Sequence, residues 1–237
     1  MNSQGTVFAP LPCIPALCRG DRNLLSDWVE GGEKGCIRLC LVLITVGFSL
    51  YGFTIGLRNG LQMGAYVAIK FPAVIFGTLA LNVLLNGMLA VLLGSGLSFR
   101  QSLKFLLMGF AIMATMLGAL SPIIFFATLN MPPPDAPGSK TIHGINLLLH
   151  TLLVTYAGIH AHAMMYNSLL QFTRTRLSGI LTYLAWLAGN LFVGAQVSWV
   201  LRPYLVAPGY EVEFLRKNLF DSNFYEAIYR SARNVFF

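Results

Sequence analysis

The side chains with the widest chemical reach are four histidines, His143, His150, His160 and His162, and four cysteines, Cys13, Cys18, Cys36 and Cys40. Imidazoles ligate haem and metals or relay protons, and paired thiolates hold zinc. Spacing limits both uses. On a helix turning about 100° per residue, His143 and His150 share a face, whereas His160 and His162 point about 160° apart. One helix therefore cannot supply both axial ligands of a haem. His150, His160 and His162 are weak metal candidates unless a partner helix or subunit completes the set, and the alternative is that they hydrogen-bond between helices. The cysteine gaps of four and three residues, separated by seventeen, permit a zinc site. Plain thiols at the mouth of a helix explain them equally, and no resident cofactor or metal is expected.

Other chemistry lacks its parts. The chain has no HExxH and no phosphate-binding GxxxxGK[ST] loop, so metalloprotease and self-contained ATPase readings fail. Ser95 and Ser98 in the segment GSGLS suit a short Gly/Ser turn better than a serine nucleophile paired with a histidine. No enzyme activity is expected.

The elements that would position these residues are set by where acidic residues are missing. Between Glu33 and Glu211 the only carboxylate side chain is Asp135, and five long apolar stretches surround it. Soluble helices need a polar face, while a charge at membrane depth costs several kcal/mol or more. The pattern predicts an all-α, polytopic membrane bundle of about five transmembrane helices. The expected spans are Cys36–Leu57, Phe71 to just before Gly94, Phe105–Leu129 with a kink at Pro122, Ile145–Phe172, and Leu177–Leu201. Three consecutive prolines make MPPPDAPG, residues 131–138, a stiff loop.

The organisation is then an amino-terminal polar segment over 1–35, a membrane domain over 36–202 and an interfacial tail over 203–237. The first 30 residues lack the form of a cleaved signal peptide, and the first span is expected to act as an uncleaved anchor. Within the tail, Phe224, Tyr225, Ile228, Tyr229, Ala232, Val235 and Phe236 recur at helical spacing, which predicts an amphipathic surface helix. Trp199, Arg202 and Tyr204 read as an interfacial anchor. The net charge of +7 resides in loops and tails and suits anionic lipid, not nucleic acid. Basic residues divide evenly between the two sides. The compact loops carrying Arg100 with Lys104 and Arg174 with Arg176 favour a cytoplasmic amino terminus, in a bacterial inner membrane.

Gly52, Gly56, Gly60 and Gly64 repeat every fourth residue, extending the small-xxx-small pattern that lets helices approach. Asn82 and Asn86 form a polar stripe one turn apart, and Asn190 and Gln196 offer similar groups on the fifth span. All of these read first as helix-packing residues.

From Tyr66 to Phe126 the chain resembles the bacterial relatives of the Yip (Ypt-interacting protein) family. The resembling pieces are a KFP entry into a span (Lys70, Phe71, Pro72), a Gly/Ser turn leading into SFRQ (Ser98 to Gln101), and an alanine-rich span broken at Ser121 and Pro122. The resemblance implies a five-span membrane protein; in eukaryotes the family implies trafficking, small-GTPase binding and membrane shaping without enzyme activity, and its bacterial members are largely without assigned function. The histidine-bearing fourth span and the long aromatic tail depart from that pattern, so no residue role is carried over.

Three functions follow as expectations. The first is a non-enzymatic scaffold for other integral membrane proteins or a second copy of the chain, contacting them through the amino-terminal segment, the tail helix and the glycine row. The second is a membrane-embedded subunit of a transporter or export complex, lining a lipid or solute path between spans two, four and five; replacing Asn82, Asn86 or His150 by Leu would then impair flux. The third is a histidine-dependent haem or metal protein.

Overall fold

The computed structural model describes residues 13–30, 34–133, 136–207, 211–216 and 221–236. Asp135, the midpoint of the expected proline loop, lies outside them, as does the Cys13 side chain. The helices are α1 (Cys13–Arg19), α2 (Arg22–Glu30), α3 (Lys34–Gly56), α4 (Leu61–Leu92), α5 (Phe99–Leu129), α6 (Ser139–Gln171), α7 (Arg176–Val200) and α8 (Phe224–Phe236), with a 3-10 turn at Leu57–Asn59. No strand occurs among the described residues. The helices α3 to α7 are each long and apolar enough to cross a membrane, so the fold is an all-α bundle of a membrane protein.

Local sequence explains the helix ends. Ser98 caps α5 and Gln101 returns the bond, so SFRQ is a capping box; Thr175 and Ser178 do the same for α7. Gly60, at φ 99°, turns the chain from the α3 side into α4.

α4 begins at Leu61, ten residues before the expected Phe71 (71 against 61). The reason is that Pro72 does not start the helix but sits inside it. A proline leaves the carbonyl four residues earlier without its intrahelical donor. Here that carbonyl belongs to Ala68, and the Ser49 hydroxyl of α3 donates to it at 2.9 Å. A neighbouring helix thus supplies the bond that the sequence removed. With 32 residues α4 is about 48 Å long, longer than the ~30 Å hydrocarbon core.

α3 is the central helix, packed along α4 on one side and α5 on the other. α7 lies mainly against α4 and α6 mainly against α5, whereas α6 and α7 touch each other only sparingly. The amino-terminal helices close one end: Leu17, Leu25, Trp28 and Val29 are buried, and α1 and α2 lie against α5 and α6. Lys104 Nζ donates to the Val29 carbonyl at 2.9 Å, in the last turn of α2 where carbonyls lack helical donors. At the opposite end α8 lies on α6 and α7, and the segment after α7 folds back over α4, burying Val206 against Met63 and Val67. Asn59 holds that strap by exchanging two hydrogen bonds with the Val206 backbone, at 3.2 and 3.3 Å.

Candidate functional site

The sparse contact between α6 and α7 leaves a cavity of about 260 Å³ inside the bundle. Every spanning helix contributes to its wall: Phe48 and Ile55 from α3, Ile75 and Thr78 from α4, Met113 from α5, His150, Gly158 and His162 from α6, and Asn190 and Gly194 from α7. Tyr204, Leu205 and Phe224 close the end nearest the strap and α8. A smaller cavity of about 60 Å³ between α5, α6 and α7 shares the Met113, Gly158, His162 and Asn190 wall. Among the described residues, no Asp, Glu, Lys or Arg lines either one.

The mouth is on the side of the bundle. Ile159 and Leu191 line the large cavity and are also 55% and 52% exposed. They fall in the interior of α6 and α7, far from both helix ends. At that depth the surrounding medium is acyl chain rather than water.

Two histidines hold the walls in place. The Tyr51 hydroxyl on α3 and His150 Nδ1 on α6 lie 2.9 Å apart, both residues buried. His162 Nε2 meets the Asn190 side-chain amide on α7 at 3.3 Å. His160 instead stacks beside Tyr156 on the outer part of the same helix. His143 is half-buried in the first turns of α6. The structure therefore does not bring His150, His160 and His162 to one point. Among the described residues no three His, Cys, Asp or Glu side chains converge as a metal site would require. Cys36 and Cys40 are buried free thiols on α3. Cys18 is also free, and burial pushes its thiol up, with a bond to Thr115 opposing, so the metal-binding thiolate is disfavoured there.

The glycine row works inside the chain. A Cβ on Gly52 would lie 2.7 Å from the Val67 carbonyl oxygen, and one on Gly56 2.6 Å from that of Met63; Gly64 abuts Phe53. These three seat α3 against α4, while Gly60 belongs to the turn. Gly47 is the tightest α3–α5 approach, against the Ala114 backbone and Gly118, and it lay outside the four-residue register that drew attention to the others.

Asn82 and Asn86 are fully buried on α4, and neither side-chain amide has a hydrogen-bond partner among the described residues. Trp186 Nε1 donates to the Asn86 backbone carbonyl at 2.9 Å, tying α7 to α4 beside them. Of the interfacial trio, Arg202 lies over the Trp199 ring at 3.8 Å and bonds the Trp199 and Asp221 carbonyls. Tyr204 turns inward, donating to the Ser198 carbonyl at 2.8 Å and meeting Phe71 edge-on; burial raises its phenol well above the ordinary range. Gln196 is half-buried on α7.

Lys70 is the residue that sequence reasoning misplaced. Read as the approach to a span, it lies in the third turn of α4 and is 1% exposed. Its Nζ donates to the Pro203 carbonyl at 2.8 Å and stands 4.9 Å from the Phe214 ring. Lys104 is likewise buried, at 5% exposed. The one signal for Lys70 was its position two residues before a proline, which suggested a boundary instead.

No protein-family model, curated protein or solved structure matches this chain, so the Yip resemblance rests on the residues that carry it.

Proposed function

We propose that this protein is a membrane-embedded binding subunit that takes a hydrophobic ligand sideways from the bilayer into the cavity between α4, α6 and α7. It serves as the ligand-holding part of a transport or export assembly, and the role asked of it is binding rather than bond-making. The observation that carries this reading is the mid-span mouth, where Ile159 and Leu191 line the cavity and face outward together. A ligand entering there never crosses a headgroup layer, and the apolar wall offers it more contact than a fluid acyl environment.

The scaffold reading drawn from the Yip resemblance is less favoured. Two of the three surfaces it relies on are already occupied within the chain: α1 and α2 bury their apolar residues on α5 and α6, and Gly52, Gly56 and Gly64 face α4 or α3. Among the described residues, the outward face of α8 is what is left to it.

The test is a cavity-filling variant. A Cβ on Gly158 would meet nothing nearer than Met113 Sδ at 4.0 Å, and Gly158 lines the cavity, so Gly158→Phe adds volume at its wall. Protein extracted from native membranes in a gentle detergent should carry a stoichiometric apolar molecule by mass spectrometry, and monodisperse Gly158→Phe should lose it. Equal retention by both proteins would sink the proposal. The same preparation reports any stoichiometric partner protein, and with it the assembly served.

A further inference from the structure

We propose that the strap after α7 is a second door of the cavity: lifting residues 203–207 off α4 opens the ligand space towards the head-group layer. This rests on the cavity being a ligand site, and it specifies the way out. The mouth between Ile159 and Leu191 leads back into the bilayer from which the ligand came. A subunit that passes its ligand on to an assembly needs another opening.

The make-up of the wall sets where it can give. Among the described residues, every residue that lines the cavity belongs to a helix except Tyr204 and Leu205 of the strap. Moving a spanning helix costs its whole packed face, whereas moving a strap costs only its fastenings. Leu205 is buried, and Tyr204 is turned inward by its bond to the Ser198 carbonyl.

The fastenings are few and land on one helix and the turn before it. Lys70 Nζ holds the Pro203 carbonyl, and the Phe71 ring meets the Tyr204 ring edge-on at 5.3 Å. Two sequence neighbours on α4 thus hold two sequence neighbours on the strap. Asn59 holds the Val206 backbone, Val206 packs on Met63 and Val67, and Phe214 meets Tyr66 edge-on at 5.2 Å. Phe71 belongs to both structures. Its ring lines the cavity and touches Tyr51, the partner of His150, so a ligand seated against Phe71 is one ring away from the strap.

Opening exchanges these bonds rather than losing them. The Lys70 ammonium, the Pro203 carbonyl, the Asn59 amide and the Val206 backbone all bond water once the strap lifts at head-group level. A protein–protein bond traded for bonds to water changes the balance only modestly. Removing Lys70 tips that balance towards the open strap, because the Pro203 carbonyl then has water as its donor only in the open position.

The experiment uses the full chain in nanodiscs and a charged thiol reagent, trimethylammonium-ethyl methanethiosulfonate. Its fixed cation cannot reach the mid-span mouth through acyl chains. Single cysteines replace Leu205 on the strap or Ile55, which lines the cavity from the last turn of α3 and is 2% exposed. Labelling at each new thiol is followed by peptide mass spectrometry. Lys70→Met should accelerate labelling of both Leu205→Cys and Ile55→Cys about tenfold, the worth of one such fastening. Asn59→Ala, which removes the two bonds at Val206, should accelerate both as well. Dodecane loaded into the nanodiscs should slow labelling of Ile55→Cys by filling the space in front of it. Rates unchanged by both Lys70→Met and Asn59→Ala would overturn the door and leave the cavity reading intact. Acceleration at Leu205→Cys without acceleration at Ile55→Cys would do the same, because the strap would then lift without opening the cavity. Ile55→Cys labelling indifferent to dodecane, or dodecane held equally by Gly158→Phe, would overturn the cavity reading itself and this inference with it.

Discussion

Where α3 meets α4 and α5, backbones touch through glycine: Gly52 and Gly56 lie against the Val67 and Met63 carbonyls, and Gly47 against Ala114. Where α6 meets α7, contacts are few, a cavity opens, and glycines 158 and 194 face space or a single side chain. The same residue type serves opposite ends in the two regions. On the α3 side a missing side chain lets helices close and gather dispersion contacts, the main attraction between helices in lipid. On the α6–α7 side it leaves room that no neighbour fills. Hydrogen bonding follows the same division. The carbonyl freed by Pro72 is satisfied on the tight side by Ser49, whereas among the described residues Thr78, Asn82 and Asn86 of α4, Asn146 and Ser168 of α6, and Thr182 and Asn190 of α7 hold side-chain groups without partners. The tight half carries stability, and the loose half leaves space unfilled.

This contrast can be broken most sharply at the glycines themselves. Gly47→Leu should destabilise the protein by about 3 kcal/mol, because its Cβ would overlap the Ala114 backbone, which cannot retreat. Gly158→Leu should be neutral or slightly stabilising by the same unfolding assay in detergent. Equal costs for the two would erase the distinction between the halves.

The border between the halves is the strap after α7, and Lys70 is its latch. Lys70→Met removes the bond to the Pro203 carbonyl and the charge beneath Phe214. Protease cleavage within residues 211–216 should accelerate about tenfold, which corresponds to about 1.4 kcal/mol of lost docking. Unchanged protection would show that the Val206 cluster and Asn59 hold the strap unaided.

A smaller effect sharpens the account of the tight side. Ser49→Ala should cost about 1 kcal/mol by orphaning the Ala68 carbonyl. In a Pro72→Ala background that cost should vanish, since residue 72 then offers its own backbone N–H to the same oxygen. A double-mutant cycle with no coupling would refute the assignment.

How much of this was legible in the residues differs by element. The spans were readable because a charge-free run of this length has few alternatives to lipid, and SFRQ marked the start of α5 because a capping box is a local bond. The start of α4 was not readable. Pro72 normally signals a boundary, and what overrides it here is a hydroxyl on another helix, 23 positions earlier in the chain (72 against 49). The row of four glycines announced a close approach but not with what; only the hairpin turn at Gly60 decided that the partner was α4 of the same chain. Gly47 carried no register at all. For the histidines, helical geometry separated His160 from His162, yet nothing in their spacing pointed to Tyr51 or Asn190 as the partners.

The residues alone therefore determined the medium, the helical class and the segments that cross, because each depends on the transfer of a continuous stretch between water and lipid. The tertiary structure decided which side chains share a space: that α7 lies on α4 more than on α6, that Lys70 turns inward to Pro203, and that Thr78 and Asn190 line one cavity with no charged side chain among the described residues. Those facts depend on which helix faces meet, and in lipid, where every helix surface is apolar, the pattern along one helix does not name the face of another.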